Sequence, residues 1–157
     1  MSQPDTATSF IKASEIWLAE GETLIFGGGD YGSLEAFGDI SARSRFAHGE
    51  GLPGKAWAEG RPIVLDQFDG SYFQRTEAAQ EAGLTCAIAI PVFADNTLKA
   101  VLVVLCGNDA GHVGAIEVWE DRDDRLHLDA GYYGAAEDFG AASQDVVFAQ
   151  GEGLPGG

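Results

Sequence analysis

One stretch of the sequence carries residue types that could bind a nucleotide. Gly49, Gly54 and Lys55 have the spacing of a phosphate-binding loop, in which backbone N–H groups and a lysine hold the phosphates. The next residue is Ala56, where such loops need a serine or threonine for magnesium, and Pro53 removes one of the N–H donors. We therefore predict that these glycines form a tight turn before a helix, without nucleotide hydrolysis.

The cysteines and histidines are the other residues with catalytic or metal-binding potential. Cys86 and Cys106 both lie in apolar segments, which is typical of buried, reduced cysteines. No base or resolving thiol is placed beside Cys86, so we expect no thiol catalysis. The histidines lack a carboxylate or cysteine at ligand spacing, and we predict no metal and no cofactor. They are His48, His112 and His127.

Composition indicates a folded, acidic protein. The 157 residues are 45% hydrophobic and carry a net charge of −16, which disfavours nucleic acid and anionic membranes as partners. Residues 1–14 contain no apolar segment of the secretory type. The longest apolar run, Ala100–Cys106, is too short to cross a bilayer. We expect a cytoplasmic protein.

The chain contains an internal repeat at an offset of 102 residues. The sequence GEGLPG occurs at residues 49–54 and again at 151–156. We predict one complete unit over residues 1–111 and the first half of a second unit over residues 112–157. The same offset pairs Glu15 with Glu117, Trp17 with Trp119, Leu24 with Leu126, Gly29 with Gly131, Tyr31 with Tyr133, Phe37 with Phe139, Ser41 with Ser143, and Phe46 with Phe148.

Short apolar segments between turn residues predict an α+β fold around an antiparallel sheet. Glycines 27–29 are expected to break the chain after the first hairpin. Ser71 and Gln74 match a capping box, so a helix is predicted over residues 73–82, ending at Gly83 in a Schellman motif. The predicted strands are 15–18, 23–26, 62–66, 86–93 and 99–105, with a further short helix at 54–59.

Residues 49–107 resemble the second half of a GAF domain. The resemblance rests on GEGLPGKAW at 49–57, GRPIVLD at 60–66, FQR at 73–75, AQEAGL at 79–84 and IAIPV at 88–92. It implies a GAF/PAS-like antiparallel sheet of about six strands, with short helices on one face. It also implies a cytoplasmic sensory module that binds a small molecule, commonly forms homodimers and passes its signal to an attached output domain. For this chain we expect a homodimer and a separate output protein.

The resemblance also implies a ligand site. It places Asp66 and Arg75 at the rim of the pocket, where an arginine beside aromatic rings can bind a carboxylate or stack on a ring. A solvent-exposed arginine at the start of a helix explains Arg75 equally well. The predicted ligand is a small organic anion or an aromatic metabolite. The predicted ligand-binding residues are Tyr31, Asp66, Phe68, Phe73, Arg75 and Cys86.

Three functions remain open at this point. The first is a non-catalytic sensory domain that binds a small molecule. The second is a dimerisation or protein-interaction module whose pocket is vestigial. The third is a cysteine-based redox enzyme related to free methionine sulfoxide reductase, although the set of cysteines that such relatives use is absent. We expect no enzyme activity.

The half-repeat needs a partner for its apolar face, since a lone two-stranded hairpin is barely stable in water. We expect residues 113–148 to be ordered. They would either add to the sheet of the first unit or be exchanged between two chains of a symmetric dimer.

Overall fold

The computed structural model describes residues 10–107, 114–133 and 137–156. The chain forms two compact units, Met1–His112 and Val113–Gly157. The boundary predicted between residues 111 and 112 lies outside the described residues.

Unit 1 is built on a six-stranded sheet in which every pairing is antiparallel. The strand order is β3-β2-β1-β6-β5-β4, which confirms the predicted α+β fold. The elements are β1 (Ile11–Glu20), β2 (Thr23–Asp30), α1 (Glu35–Ala42), β3 (Arg45–Ala47), α2 (Gly51–Glu59), β4 (Ile63–Leu65), α3 (Thr76–Glu81), β5 (Cys86–Ala94) and β6 (Thr97–Cys106).

The central hairpin, β5–β6, follows directly from the sequence. Its strands are rich in valine, isoleucine and leucine, which favour a pleated and buried environment. Asp95 and Asn96 join them with positive φ angles of 53° and 61°. Two such residues form the tight turn whose twist matches that of the two strands.

The three helices cover one face of the sheet, which we call the front face. Alternation along β1 separates the two faces: Glu15 and Trp17 are fully buried, whereas Ile16 and Leu18 are 46% and 42% exposed. The front-face core joins side chains from the helices and the central strands. Its members include Trp17, Leu24, Phe37, Phe46, Leu52, Ala56, Ala79, Val101 and Val103.

The prediction that glycines 27–29 break the chain is wrong, since β2 continues through Asp30. The β1–β2 register shifts between Ile16 and Trp17, and Gly28 pairs with Ile16 on one side of this bulge. A Cβ on Gly27 would lie 2.7 Å from Leu18 Cγ. These glycines therefore allow a bulge and a close side-chain approach within a continuous strand.

Helix α3 is shorter than predicted, because Ser71 does not cap it. The Ser71 hydroxyl donates to the Phe68 carbonyl at 2.6 Å and accepts from the Phe73 N–H at 3.1 Å, which closes a local turn. The predicted end of the helix is confirmed. Leu84 N–H donates to the Ala79 carbonyl at 2.9 Å, and Gly83 has a φ of 76°, as a Schellman motif requires.

Close packing at the start of α2 leaves no room for a side chain on Gly54. A Cβ on Gly54 would meet the backbone oxygen of Ala47, which β3 holds in place, whereas a Cβ on Gly49 meets no atom within 4 Å. We expect Gly54→Ala to lower the free energy of unfolding by at least about 2 kcal/mol. Gly49→Ala should cost about 1 kcal/mol, for its positive φ alone. Urea unfolding measures both, and equal costs would contradict the steric explanation.

Unit 2 repeats the first half of unit 1. Its sheet has the order β7-β8-β9, and its β7–β8 register shifts between Val118 and Trp119, at the position equivalent to the bulge in unit 1. The elements are β7 (Ile116–Arg122), β8 (Arg125–Tyr132), α4 (Glu137–Ser143), β9 (Val147–Ala149) and α5 (Gly153–Gly156). Of the range expected to be ordered, residues 113 and 134–136 lie outside the described part of the chain.

Candidate functional site

The front face of unit 1 contains a buried ion pair between β1 and the residue that precedes α3. Arg75 Nη1 lies 2.6 Å from Glu15 Oε2, and Arg75 Nη2 lies 3.0 Å from Glu15 Oε1. Both side chains are almost completely buried, with 4% and 0% of their surface exposed. The contact is therefore a bidentate, charge-assisted pair between residues 60 positions apart in the chain.

Each oxygen of the Glu15 carboxylate accepts two hydrogen bonds. Tyr31 OH donates to Oε2 at 2.7 Å, and Trp17 Nε1 donates to Oε1 at 3.1 Å. Each carboxylate oxygen thus accepts one bond from Arg75 and one from an aromatic side chain. A buried carboxylate needs such complete satisfaction to offset the loss of its hydration.

The Arg75 guanidinium lies among four aromatic rings. Its Cζ is 5.0 to 5.5 Å from the ring centroids of Trp17, Phe37, Phe46 and Phe73. Arg75 Nη1 also donates to Ser41 Oγ at 2.5 Å, and Ser41 donates in turn to the Phe37 carbonyl at 2.9 Å. Arg75 Nε is buried and has no hydrogen-bond partner in the described part of the chain.

The ligand-binding residues predicted from the resemblance fall into two groups. Arg75 contacts the Phe73 ring, Phe73 packs on Phe68 at 4.6 Å, and Tyr31 joins them through Glu15. These residues form one connected cluster within or against the core. Asp66 is exposed, and Cys86 is fully buried opposite Cys106 in the β5–β6 pairing. Whether any of the six binds a ligand stays a prediction.

Sequence reasoning did not identify Glu15, Trp17 and Ser41 as partners of Arg75. The internal repeat carried the signal, because all three are kept at the offset of 102 residues. Tyr31, Phe37 and Phe46 are kept as well. The first-half residues that surround Arg75 are thus those that both copies share.

Two adjoining clefts lie between α1 and α3. One has a volume of about 330 Å³ and is lined by residues of both helices, including Phe37 and Ala82. The other, of about 360 Å³, reaches Arg75 and Gln74. They share Ile40, Ala78 and Glu81, so Arg75 lies at the inner edge of a groove.

The Tyr31 hydroxyl makes unit 1 sensitive to alkaline pH. Burial, followed by the charge of Glu15, raises the pKa of Tyr31 well above its ordinary value of 10.0. A raised folded-state pKa contributes stability that is complete below pH 10 and is lost as the pH rises through the folded pKa. We expect the free energy of unfolding to fall from about pH 10 upward.

Tyr31→Phe should flatten this alkaline decline, measured by urea unfolding between pH 8 and pH 11. The pKa values of Tyr72 and Tyr133 are also raised by burial, so some slope should persist. Tyr132→Phe is the matched control. An unchanged slope in Tyr31→Phe would show that this hydroxyl does not titrate differently in the folded state.

The described residues contain neither a metal-binding cluster nor a membrane-spanning helix. No group of three histidine, cysteine, aspartate or glutamate side chains there could hold a metal ion. None of the helices described is both long enough and apolar enough to span a bilayer.

Several solved structures share the fold of unit 1. The A. aeolicus nlh2 GAF domain in an inactive state is 23% identical, with a TM-score of 0.51, over 63% of this chain and 59% of that one. The GAF domain/HD domain protein from Geobacter sulfurreducens is 10% identical, with a TM-score of 0.52, over 62% of this chain and 63% of that one. This chain therefore spans less than two thirds of either structure.

An enzyme is among the similar structures. The free methionine-R-sulfoxide reductase from Neisseria meningitidis, in complex with its substrate, is 20% identical, with a TM-score of 0.48, over 61% of this chain and 52% of that one. A search of curated protein sequences gave no significant match. The two GAF-domain structures with TM-scores of 0.51 and 0.52 establish the fold of unit 1 and leave the activity open.

The family assignment rests on sequence. The family model described as GAF domain matches residues 5–119, which is most of the chain and includes the whole six-stranded sheet of unit 1. The fold predicted from the motifs and the one observed agree with it. The chain belongs to the GAF domain family, whose fold is of the sensory and signalling type.

Proposed function

We propose that unit 1 is a non-catalytic interaction module of a signalling protein, which self-associates through the face of its sheet opposite the helices. The observation that carries this proposal is the aliphatic surface opposite the helices, which we call the back face. It consists of Ile16, Leu18, Ile90, Val92, Ala100 and Leu102.

The back face forms two aligned rows across the three central strands. Ile16 pairs with Leu102, which pairs with Ile90 on the next strand. In the second row, Leu18 pairs with Ala100, which pairs with Val92, and the outer members of this row are 42% and 47% exposed. A contiguous aliphatic patch on a soluble domain is typical of a protein-interaction surface.

The front face supports the same function. The space that would hold a ligand anchored by Arg75 is filled by Glu15 and four aromatic rings. The proposed partner of the back face is the back face of a second copy of this chain, because two identical aliphatic patches are complementary to each other across a two-fold axis. Burying such surface yields about 25 cal/mol per Å² before the costs of association.

The test is sedimentation of the full chain with a charge placed on the back face. Leu18→Lys should convert a dimer into a monomer that keeps the circular dichroism spectrum of the folded chain, because the side chain is already exposed. The melting temperature should fall only by the association free energy that is lost. Ile40→Lys, at a 39% exposed residue of α1, is the matched control and should remain dimeric. A wild-type chain that is monomeric at high concentration, or a Leu18→Lys dimer, would overturn the proposal.

A second candidate function is the binding of a small molecule in the groove between α1 and α3. It is favoured by the combined clefts of about 330 and 360 Å³ and by the buried Arg75 Nε, which is available to an acceptor atom. Native mass spectrometry of freshly purified protein would detect a retained ligand. Ala78→Trp should fill the groove and abolish such a mass difference, whereas Leu18→Lys should keep it.

The absence of thiol catalysis is part of the proposal and is separately testable. Cys86 and Cys106 have no exposed surface. The hydrogen bond with Cys106, followed by burial, raises the pKa of the Cys86 thiol. We expect a thiol reagent to label neither cysteine in the native protein and both in urea. Rapid native labelling, or rapid oxidation by peroxide, would favour the redox enzyme.

A further inference from the structure

A separate cleft lies on unit 1, at the edge of the sheet where the β1–β2 turn, β3 and α2 meet. It has a volume of about 570 Å³ and is lined by Glu22, Thr23, Ala47, His48 and Trp57. This volume is typical of small-molecule pockets. The cleft shares no lining residue with the groove between α1 and α3 or with the back face.

Two aromatic rings form a corner of this cleft. The ring centroids of His48 and Trp57 are 5.0 Å apart, and the ring planes are inclined at 78°. His48 is exposed and Trp57 is half-buried, so a ligand can reach both residues from solvent. Aromatic rings set at an angle around a cleft are the usual binding element for methylated ammonium groups.

Backbone hydrogen bonds hold the lining residues in place. His48 N–H donates to the Glu22 carbonyl at 3.3 Å, and Thr23 pairs with Ala47 in the β2–β3 ladder. The turn into α2 is closed by the Gly49 N–H, which donates to the Gly54 carbonyl at 2.8 Å. The cleft is therefore preformed, which lowers the cost of ordering it around a ligand.

The polar groups of the cleft favour a cationic ligand. Within the described part of the chain, Glu22 has no ion-pair partner, and the lining contains neither lysine nor arginine. A cleft whose charge has a single sign attracts the opposite charge from solvent. The Trp57 indole is also uncommitted: its Nε1 has no acceptor among the residues described, whereas those of Trp17 and Trp119 donate to glutamates.

The internal repeat shows that the fold does not require this lining. At the offset of 102 residues, Thr23 corresponds to Arg125 and His48 to Gln150. Unit 2 forms the same hairpin, and Arg125 pairs with β9 as Thr23 pairs with β3. The two copies share their core residues but differ in the lining, so Thr23 and His48 are dispensable for the fold of this hairpin.

We propose that the cleft binds a small organic cation with a methylated ammonium head. The ammonium group lies against the Trp57 indole and opposite the Glu22 carboxylate, and Thr23 and Ala47 contact the rest of the ligand. An unmethylated ammonium group is compact and strongly hydrated, whereas methyl groups make apolar contact with the rings. The proposal is independent of self-association through the back face.

Choline is the probe, and its neutral carbon analogue, in which a tert-butyl group replaces the trimethylammonium group, is the matched ligand. Nuclear magnetic resonance titration of the full chain follows the indole N–H signals, and Trp57→Phe identifies that of Trp57. Choline should shift this signal and leave those of Trp17 and Trp119 unchanged. The neutral analogue should bind at least about 5-fold more weakly, because it lacks the charge.

The second copy supplies a variant whose fold is already known. Thr23→Arg introduces the residue that unit 2 carries at the equivalent position, and its guanidinium should abolish choline binding while the amide spectrum of the folded chain is kept. Glu22→Gln should weaken binding about 3-fold. Glu20→Gln removes an exposed carboxylate of the same hairpin outside the lining, and it should leave the affinity unchanged.

A Trp57 signal that choline does not move at up to about 50 mM overturns the proposal. So does equal binding of the neutral analogue, or of choline to Thr23→Arg. Titration with a short peptide that contains trimethyllysine distinguishes the two sources of a methylated ammonium group. Binding no tighter than that of choline supports a free small molecule, and tighter binding would overturn that assignment in favour of a methylated protein.

Discussion

Arg75→Ala is expected to lower the free energy of unfolding of unit 1 by about 3–5 kcal/mol. The substitution leaves the Glu15 carboxylate fully buried without its cation, and it removes the guanidinium from among four aromatic rings. Such a loss approaches the whole stability of a typical domain. Urea unfolding followed by tryptophan fluorescence measures it.

A double-mutant cycle separates the ion pair from general damage. Glu15→Gln should be nearly as costly as Arg75→Ala, because it leaves the buried guanidinium unpaired. The double variant Glu15→Gln, Arg75→Met should cost less than the two single changes together, since no buried charge remains. If Arg75→Ala does not fold, Arg75→Lys, which keeps the charge, gives a measurable intermediate. A cost below about 1 kcal/mol for Arg75→Ala is typical of an exposed ion pair. That result would favour ligand binding as the role of Arg75.

The local elements were predictable where one residue type determines the backbone. The β5–β6 hairpin follows from its aliphatic strands, and the end of α3 follows from Gly83 and Leu84. The start of α3 was not predictable, because a serine followed by glutamine three residues later fits both a helix cap and the turn that Ser71 closes. The hydrogen bond to Phe68 decides between them, and it depends on the tertiary position of that chain segment.

The contacts of the site were harder to predict from the sequence than the local elements. The resemblance identified Arg75 and Phe73 but gave no partner for the arginine, since Glu15 lies 60 residues away on another strand. Only the folded sheet brings β1 beneath the segment that precedes α3. The internal repeat nevertheless indicated Glu15, Trp17 and Tyr31 as residues that act together, because the second copy keeps the carboxylate, the indole and the phenol in contact.

Trp17→Ala should be the second most damaging substitution, with a loss of about 3–5 kcal/mol in the free energy of unfolding. Trp17 is fully buried and packs edge-on against Phe46 at 4.8 Å and Phe26 at 5.6 Å. Its Nε1 also donates to Glu15, so its loss removes a hydrogen bond from a buried carboxylate. Trp17→Phe keeps the ring and should cost less.

Trp119→Ala is the matched change in unit 2. Trp119 makes the equivalent contacts with Phe148 and Glu117, but it is only partly buried. Among the described residues, β7 has no neighbouring strand in the position that β6 takes beside β1. We expect a loss of about 1–2 kcal/mol, because less apolar surface returns to water. Urea unfolding measures both losses, and equal costs for Trp17→Ala and Trp119→Ala would show that the Trp119 indole is buried as deeply as that of Trp17.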